Sequence, residues 1–308
     1  MIQVNNISKS YTQDKLKVKA IENIEFSVDE GEIFGLVGPD GAGKTSLIRI
    51  LTTLLLADEG TAYINGRDVV KDYKYVRQNV GYMPGKFSLY QDLSVEENLN
   101  FFAAIFNTTI KENYSLIEDI YIQLEPFKDR KAGALSGGMK QKLALCCALI
   151  HKPMVLFLDE PTTGVDAVSR KEFWAMLQRL KQQGITIFVS TPYMDEASLC
   201  NRIALIQSGK ILSVDTPQNL INAFPLPVYA VKSSETRGML AYLREYPQTL
   251  SCEPFGEYNH LVANSTDITE KEFQAYLEKG EFKNPEFQKI LPSIEDCFIY
   301  LMNQNKSS

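Results

Sequence analysis

No stretch of this 308-residue sequence reaches the roughly 18 uninterrupted apolar residues that a membrane span requires. The most apolar run, Leu143 to Leu158, is broken by His151, Lys152 and Pro153. An excess of basic charge is lacking too. Against 32 Lys and Arg stand 38 Asp and Glu, a net charge of −6, whereas a nucleic-acid-binding face is usually basic. The start, Met1-Ile2-Gln3-Val4-Asn5, has neither the basic residues nor the apolar segment of a signal peptide. Cysteines are few. Cys146 and Cys147 are adjacent, Cys200, Cys252 and Cys297 are scattered, and no metal-ligand spacing appears, which suits a reducing cytosol. These absences predict a cytoplasmic chain that does not bind nucleic acid and meets a membrane only through another protein.

What is present is ordinary globular material, 44% hydrophobic and 23% charged, enough for one large domain and a small one. Ile24, Phe26 and Val28 alternate with polar residues, as in a half-buried strand. After the turn Asp29-Glu30-Gly31, the unbroken run Ile33 to Val37 predicts a central strand covered on both faces. A helix is expected from Thr45 to Leu56, and Asn65-Gly66 predicts a hairpin between Tyr63-Ile64 and Val69-Val70. Ser94 with Glu97 fits a capping box before a helix from Val95 to Phe106. Helical patterning from about Leu93 to Arg130 interrupts a strand–helix alternation. It resumes with strands at 155–158, 185–190 and 203–206 and a helix at 169–183. Composition shifts near Thr216-Pro217. Beyond it, strands at 228–232, 249–253, 258–264 and 287–291 and helices at 237–246 and 270–279 give the order of a split βαβ unit, followed by a helix from Ile294 to Met302.

Gly38-Pro39-Asp40-Gly41-Ala42-Gly43-Lys44-Thr45 matches the phosphate-loop pattern, between an apolar strand and an apolar helix. Its glycines let backbone N–H groups turn toward phosphate oxygens at a helix N-terminus, where anions are favoured. Lys44 is expected on the β- and γ-phosphates of ATP, and Thr45 on Mg²⁺; Ser46 follows in the first turn. Asp40 is tolerable beside a polyphosphate only with its carboxylate in solvent. Farther on, the apolar run Met154 to Leu158 ends in Asp159 and Glu160, suited to hold Mg²⁺ through water and to polarise the attacking water. Leu135-Ser136-Gly137-Gly138-Met139 opens another helix and makes a second anion-binding helix end. Two phosphate-binding ends so far apart in sequence suggest two chains closing on one nucleotide.

With these motifs and Gly164-Val165-Asp166, the sequence resembles an ABC-transporter ATPase subunit over about residues 1–215. The resemblance implies an α/β P-loop NTPase core with an antiparallel β subdomain and an inserted helical subdomain at about 85–145. Residues 216–308 then form a small α+β C-terminal domain. It implies two ATPase domains packed head to tail, so that Ser136, Gly137 and Gly138 contact the γ-phosphate of ATP held by the partner. Asp166 would lie in the loop coupling the two sites, and Tyr11, in Lys9-Ser10-Tyr11-Thr12, would stack on adenine.

Two residues that the family normally carries are replaced. Gly85, after Gly81-Tyr82-Met83-Pro84, stands where the family has a glutamine that ligates Mg²⁺, senses the γ-phosphate and touches the membrane subunit. Pro192, after Val189-Ser190-Thr191, stands where it has a γ-phosphate-contacting histidine. Proline offers neither a side-chain donor nor an N–H. The two histidines, His151 at a helix end and His260 in the C-terminal domain, lie elsewhere. Retained Lys44, Thr45 and Asp159 imply ATP binding. The replacements imply slow hydrolysis at this chain's own site, a loss of about 10²–10³ in rate per contact. The expected assembly is therefore a heterodimer with a second ABC ATPase subunit, favoured over a homodimer, with one degenerate site. Pro84-Gly85, Thr191-Pro192-Tyr193 and Asp40 resemble the first half of tandem ABC ATPases paired with ABC-2 type permeases, peripheral at the inner face of the cell membrane. Pro292-Ser293-Ile294-Glu295-Asp296 also resembles that exporter group, although helix capping accounts for it physically. A purely regulatory ATP clamp, and an ABC protein acting on ribosomes or DNA, are the competing classes. Acidic charge and the single ATPase domain oppose the latter.

Overall fold

The computed structural model describes residues 1–13, 16–234, 237–264, 269–280 and 282–306. They fall into two compact units, residues 1–217 and 218–308.

In the first unit β1 (Ile2–Gln13) and β2 (Leu16–Val28) pair antiparallel. Ile24, Phe26 and Val28 point inward while their neighbours face out. β3 (Ile33–Val37) is buried at every position, so it lacks alternation. α1 (Lys44–Leu51) stops five residues short of the predicted Leu56. The Thr52 hydroxyl donates to Ile48 O at 2.8 Å and Thr53 takes a φ of 63°, which turns the chain and leaves Leu54 and Leu56 exposed. β4 (Glu59–Ile64) and β5 (Arg67–Asp68) are joined by Asn65 and Gly66, both with positive φ (49° and 72°), as a type I′ turn requires. The returning strand is Arg67–Asp68, not the predicted Val69-Val70. These strands form an antiparallel sheet in the order β2-β1-β4-β5.

α2 (Tyr73–Asn79) leads into β6 (Val80–Met83), and three helices follow: α3 (Val95–Ile105), α4 (Tyr114–Tyr121) and α5 (Gly137–Leu149). Ser94 and Glu97 form the predicted capping box on α3. Alternation then resumes through β7 (Val155–Asp159), α6 (Ala167–Gln182), β8 (Thr186–Thr191), the short α7 (Met194–Ala197), β9 (Arg202–Gln207) and β10 (Lys210–Asp215). The second sheet runs β10-β9-β3-β8-β7-β6, parallel except for its edge strand β10. β10 has no counterpart in the sequence reading because its residues are half-buried without a clear period. Phe26, Phe34, Phe157 and Phe188 meet at centroid distances of 5.2 to 6.0 Å in the core. With β3 between β8 and β9, the phosphate loop leaves the middle of the sheet at the carboxyl ends of its strands, where open α/β sheets bind ligands.

The second unit contains all but the first residue of α8 (Pro217–Asn222), then β11 (Val228–Lys232), α9 (Met239–Arg244), β12 (Thr249–Phe255), β13 (Tyr258–Ala263), α10 (Glu270–Lys279), β14 (Glu286–Ile290) and α11 (Ile294–Lys306). Its sheet is antiparallel in the order β12-β13-β11-β14, the split βαβ topology. Tyr229, Val231 and Leu261 pack against Met239, Leu243, Phe273 and Leu277. Ser293 and Asp296 cap α11 reciprocally. Burial pushes the Asp296 carboxyl up, but His260 Nδ1 at 3.1 Å and Ser293 outweigh it and hold it below the usual range.

Candidate nucleotide site

The phosphate loop is shaped by close backbone approaches. A Cβ on Gly38 would lie 2.1 Å from Ile206 O, and one on Gly43, at φ 104°, would lie 2.4 Å from Ala20 O. Only glycine fits either place. Ala42 N–H donates to Pro39 O at 3.2 Å, Gly41 takes a φ of 76°, and Asp40 faces solvent, as a polyphosphate neighbour demands. Lys44 is only 2% exposed. Its ammonium donates to Gly38 O (2.8 Å) and Pro39 O (2.9 Å) and pairs with Glu160 Oε1 at 3.0 Å. Three acceptors meet three donors, so the charge is buried without an unmet proton. Thr45 and Ser46 stand in the first turn of α1, half-buried. The Tyr11 hydroxyl lies 3.1 Å from Ser46 Oγ, and its ring is 40% exposed beside the loop.

Asp159 ends β7 and is 4% exposed. Its Oδ1 accepts from Ser190 Oγ at 2.7 Å. Among the described residues no donor reaches its Oδ2. Thr45 and Asp159 offer a hydroxyl and a buried carboxylate with one uncommitted oxygen, an all-oxygen set of the kind Mg²⁺ shares with water and substrate phosphates. Glu160 takes a left-handed φ of 50°, which swings its carboxylate back toward Lys44.

The two replaced positions are structurally distinct. At Gly85 an added Cβ would lie 2.8 Å from Asp159 O, so the loop after β6 comes closer to the end of β7 than any side chain at 85 allows. Pro192 follows β8 in a segment held from the side. Thr191 Oγ1 donates to Glu196 Oε2 at 2.5 Å and accepts from Tyr193 N–H at 3.0 Å. Arg170, in the first turn of α6, donates from Nε to Glu196 Oε1 at 3.2 Å, pairs with Asp195 at 2.8 Å and lies 4.4 Å over the Tyr193 ring. Neither histidine comes into these contacts. His151, just past the end of α5 as expected, bonds Val80 O through Nε2 at 3.0 Å and stacks on Phe106.

Ser136 caps α5, accepting from Met139 N–H at 3.3 Å, with Gly137 and Gly138 in the first turn. Asp166 caps α6; the Ser169 and Val168 N–H groups hold its carboxyl below the usual range. α5 packs on α3, α4 and β6, whereas α1 packs on β2, β4 and β7, so the Leu135-to-Met139 stretch, the family's signature, and the phosphate loop sit on different parts of the unit. Sequence reasoning missed Ser190 and the Arg170–Glu196 pair. The short strand-end stretch Val189-Ser190-Thr191 was the available signal for the first.

Beside Pro84 lies an apolar groove of about 440 Å³, lined by Leu54, Tyr82, Phe102, Phe106 and His151. No helix among the described residues is long and apolar enough to cross a membrane.

Residues 21–163 match the family model described as ABC transporter. A probable multidrug ABC transporter ATP-binding protein of Escherichia coli is 42% identical over 98% of this chain. The chain spans about half, 52%, of that relative's length. A Nod factor export ATP-binding protein I of Burkholderia orbicola is 39% identical over 72% of this chain and 73% of its own. Among solved structures, an ATP-binding subunit of an ABC transporter superposes with a TM-score of 0.65 at 26% identity, covering 73% of this chain and 93% of its own. A dimeric ATP-binding cassette bound to ADP and Pi gives 0.64 at 24% identity over 70% and 98%, a likeness of fold.

Proposed function

This chain belongs to the ABC transporter family of ATP-binding proteins, and from that premise we propose that it is the non-equivalent ATPase subunit of an ABC-2 type exporter. Relatives named for multidrug transport and Nod factor export support the exporter reading. The observation that carries the asymmetry is the pairing of the Lys44–Glu160 ion pair and the buried Asp159 with Gly85 and Pro192, two residues that offer no side-chain donor.

ATP binds with its phosphates at the N-terminus of α1, cradled by Gly38, Pro39, Asp40, Gly41, Ala42 and Gly43, and with adenine against Tyr11. The γ-phosphate competes for the Lys44 ammonium and so frees Glu160 from its ion pair. Glu160, on the strained turn after β7, then accepts a proton from the attacking water. Thr45 and Asp159 would hold Mg²⁺, which would supply positive charge against the phosphates. Proline at 192 donates nothing to the transferring group, so hydrolysis here is slow and ATP acts mainly as a clamp. Ser136, Gly137 and Gly138 face the ATP of a second ATPase subunit, and Asp166 couples the two sites. The apolar groove beside Pro84 receives the permease, next to the loop that in the family touches the membrane subunit.

ATPase assays of Glu160→Gln, alone and mixed with a second subunit that carries the intact glutamine and histidine, test this reading. Expected is weak turnover by the isolated chain, with the complex keeping most of its rate after Glu160→Gln. Rapid hydrolysis by the purified chain, abolished equally by phosphate-loop and signature mutations, would falsify the asymmetry.

A further inference from the structure

We infer that Ser190 is a positioning residue that orients both acidic groups of the site through a single hydroxyl. The inference rests on the roles proposed above for Asp159 and Glu160. Ser190 is fully buried in β8, and the parallel register of β7 and β8 sets it directly beside Asp159. Its Oγ donates to Asp159 Oδ1 at 2.7 Å and accepts from the Glu160 N–H at 3.0 Å. The proton has one place to go. Because the Glu160 N–H points at the oxygen, the hydroxyl hydrogen must lie toward the carboxylate, and the hydrogen-bond direction is fixed.

Two consequences follow for the reacting groups. Asp159 is buried, and among the described residues Ser190 is its one hydrogen-bond donor. The hydroxyl therefore fixes the plane of the carboxyl group and leaves Oδ2 as the oxygen available to a hydrated cation. Glu160 has a left-handed φ of 50°, costly for a residue with a Cβ. Its N–H is shared between Ser190 O at 3.1 Å and Ser190 Oγ, so the same residue holds the turn that aims the Glu160 side chain. A one-residue slip of β8 would put Val189 or Thr191 beside Asp159 and break both contacts.

The full-length chain serves for the test, with Ser190→Ala, the near-isosteric Ser190→Cys and Asp159→Asn. A fluorescent ATP analogue is titrated with and without Mg²⁺ and turnover is not needed; melting temperature is recorded in parallel. A charge-assisted hydrogen bond of this kind predicts a rise of about tenfold in the Mg²⁺ concentration giving half-maximal binding for Ser190→Ala. Metal-free binding should stay within about twofold. Ser190→Cys, whose thiol is a weak donor, should track alanine while keeping the volume, which separates orientation from packing. If both serine variants leave the Mg²⁺ dependence at the wild-type value while Asp159→Asn raises it, Ser190 is merely structural and the inference is overturned. If Asp159→Asn changes nothing either, the metal-holding role of Asp159 fails, and the inference fails with it.

Discussion

His151 shows how one side chain ties stability to pH without belonging to the site. Its ring is stacked on Phe106 and bonded to Val80 O, and burial depresses its pKa below the ordinary 6.5, the Val80 bond opposing only in part. The unfolded chain therefore binds this proton more readily than the native one. The neutral ring contributes stability that is present above about pH 6.5 and is lost as pH falls through the depressed native value. His151→Phe keeps the stack and removes the titration. Melting curves should show a lower plateau at neutral pH, from the lost Val80 bond, and a flatter fall below about pH 6.5 than in the wild type. The buried thiols behave in the opposite sense. Burial pushes Cys252 and Cys297 up to about 12 and Cys146, Cys147 and Cys200 well up, so all five stay protonated and inert.

At the scale of elements, the loops beside the site are positioned by contacts between segments far apart in sequence. Arg170 on α6 and Glu196 on α7 form one such tie, with Glu196 only 2% exposed. Arg170→Ala would leave that carboxylate with only the Thr191 hydroxyl, a loss of about 1–3 kcal/mol for a buried acceptor deprived of a charged partner. Denaturant unfolding should read that loss, and Arg170→Lys should recover only part of it, since an ammonium cannot both pair with Glu196 and stack on Tyr193 as the guanidinium does. The loop at Gly85 makes a complementary point. Restoring the family's glutamine there is not a simple repair, because its Cβ meets Asp159 O. Gly85→Gln should therefore destabilise the fold by about 1–3 kcal/mol, as overpacking does, without raising the ATPase rate. A stable, faster Gly85→Gln variant would show that the loop yields and that the missing side chain alone limits hydrolysis.

For the whole molecule, the separation of the signature from the phosphate loop is the decisive feature. α5 and α1 pack on different neighbours, as the proposal that Ser136 and Lys44 serve different nucleotides requires. Ser136→Ala should leave ATP binding by the isolated chain unchanged within about twofold. In the complex with a second ATPase subunit it should lower turnover about 10²-fold, the scale for one lost oxyanion contact. Equal effects in both assays would mean that the signature serves this chain's own ATP.

Sequence alone determined the parts whose physics is local. Gly38 to Thr45, the apolar run into Asp159 and Glu160, the Ser94–Glu97 box and the Ser293–Asp296 cap each act over a few residues, and so each is legible as a pattern. Pro192 was likewise legible as a lost donor, because no tertiary context can give proline an N–H. Tertiary structure decided the rest. Ser190 acquires its significance only when β8 pairs with β7 across 31 residues, and Arg170 only when α6 meets α7 across 26. Gly85 turns from an absent side chain into a close backbone approach only once the loop lies against Asp159. Parallel strand register and packing between distant segments are set by the sum of core contacts, which no local run of residues encodes.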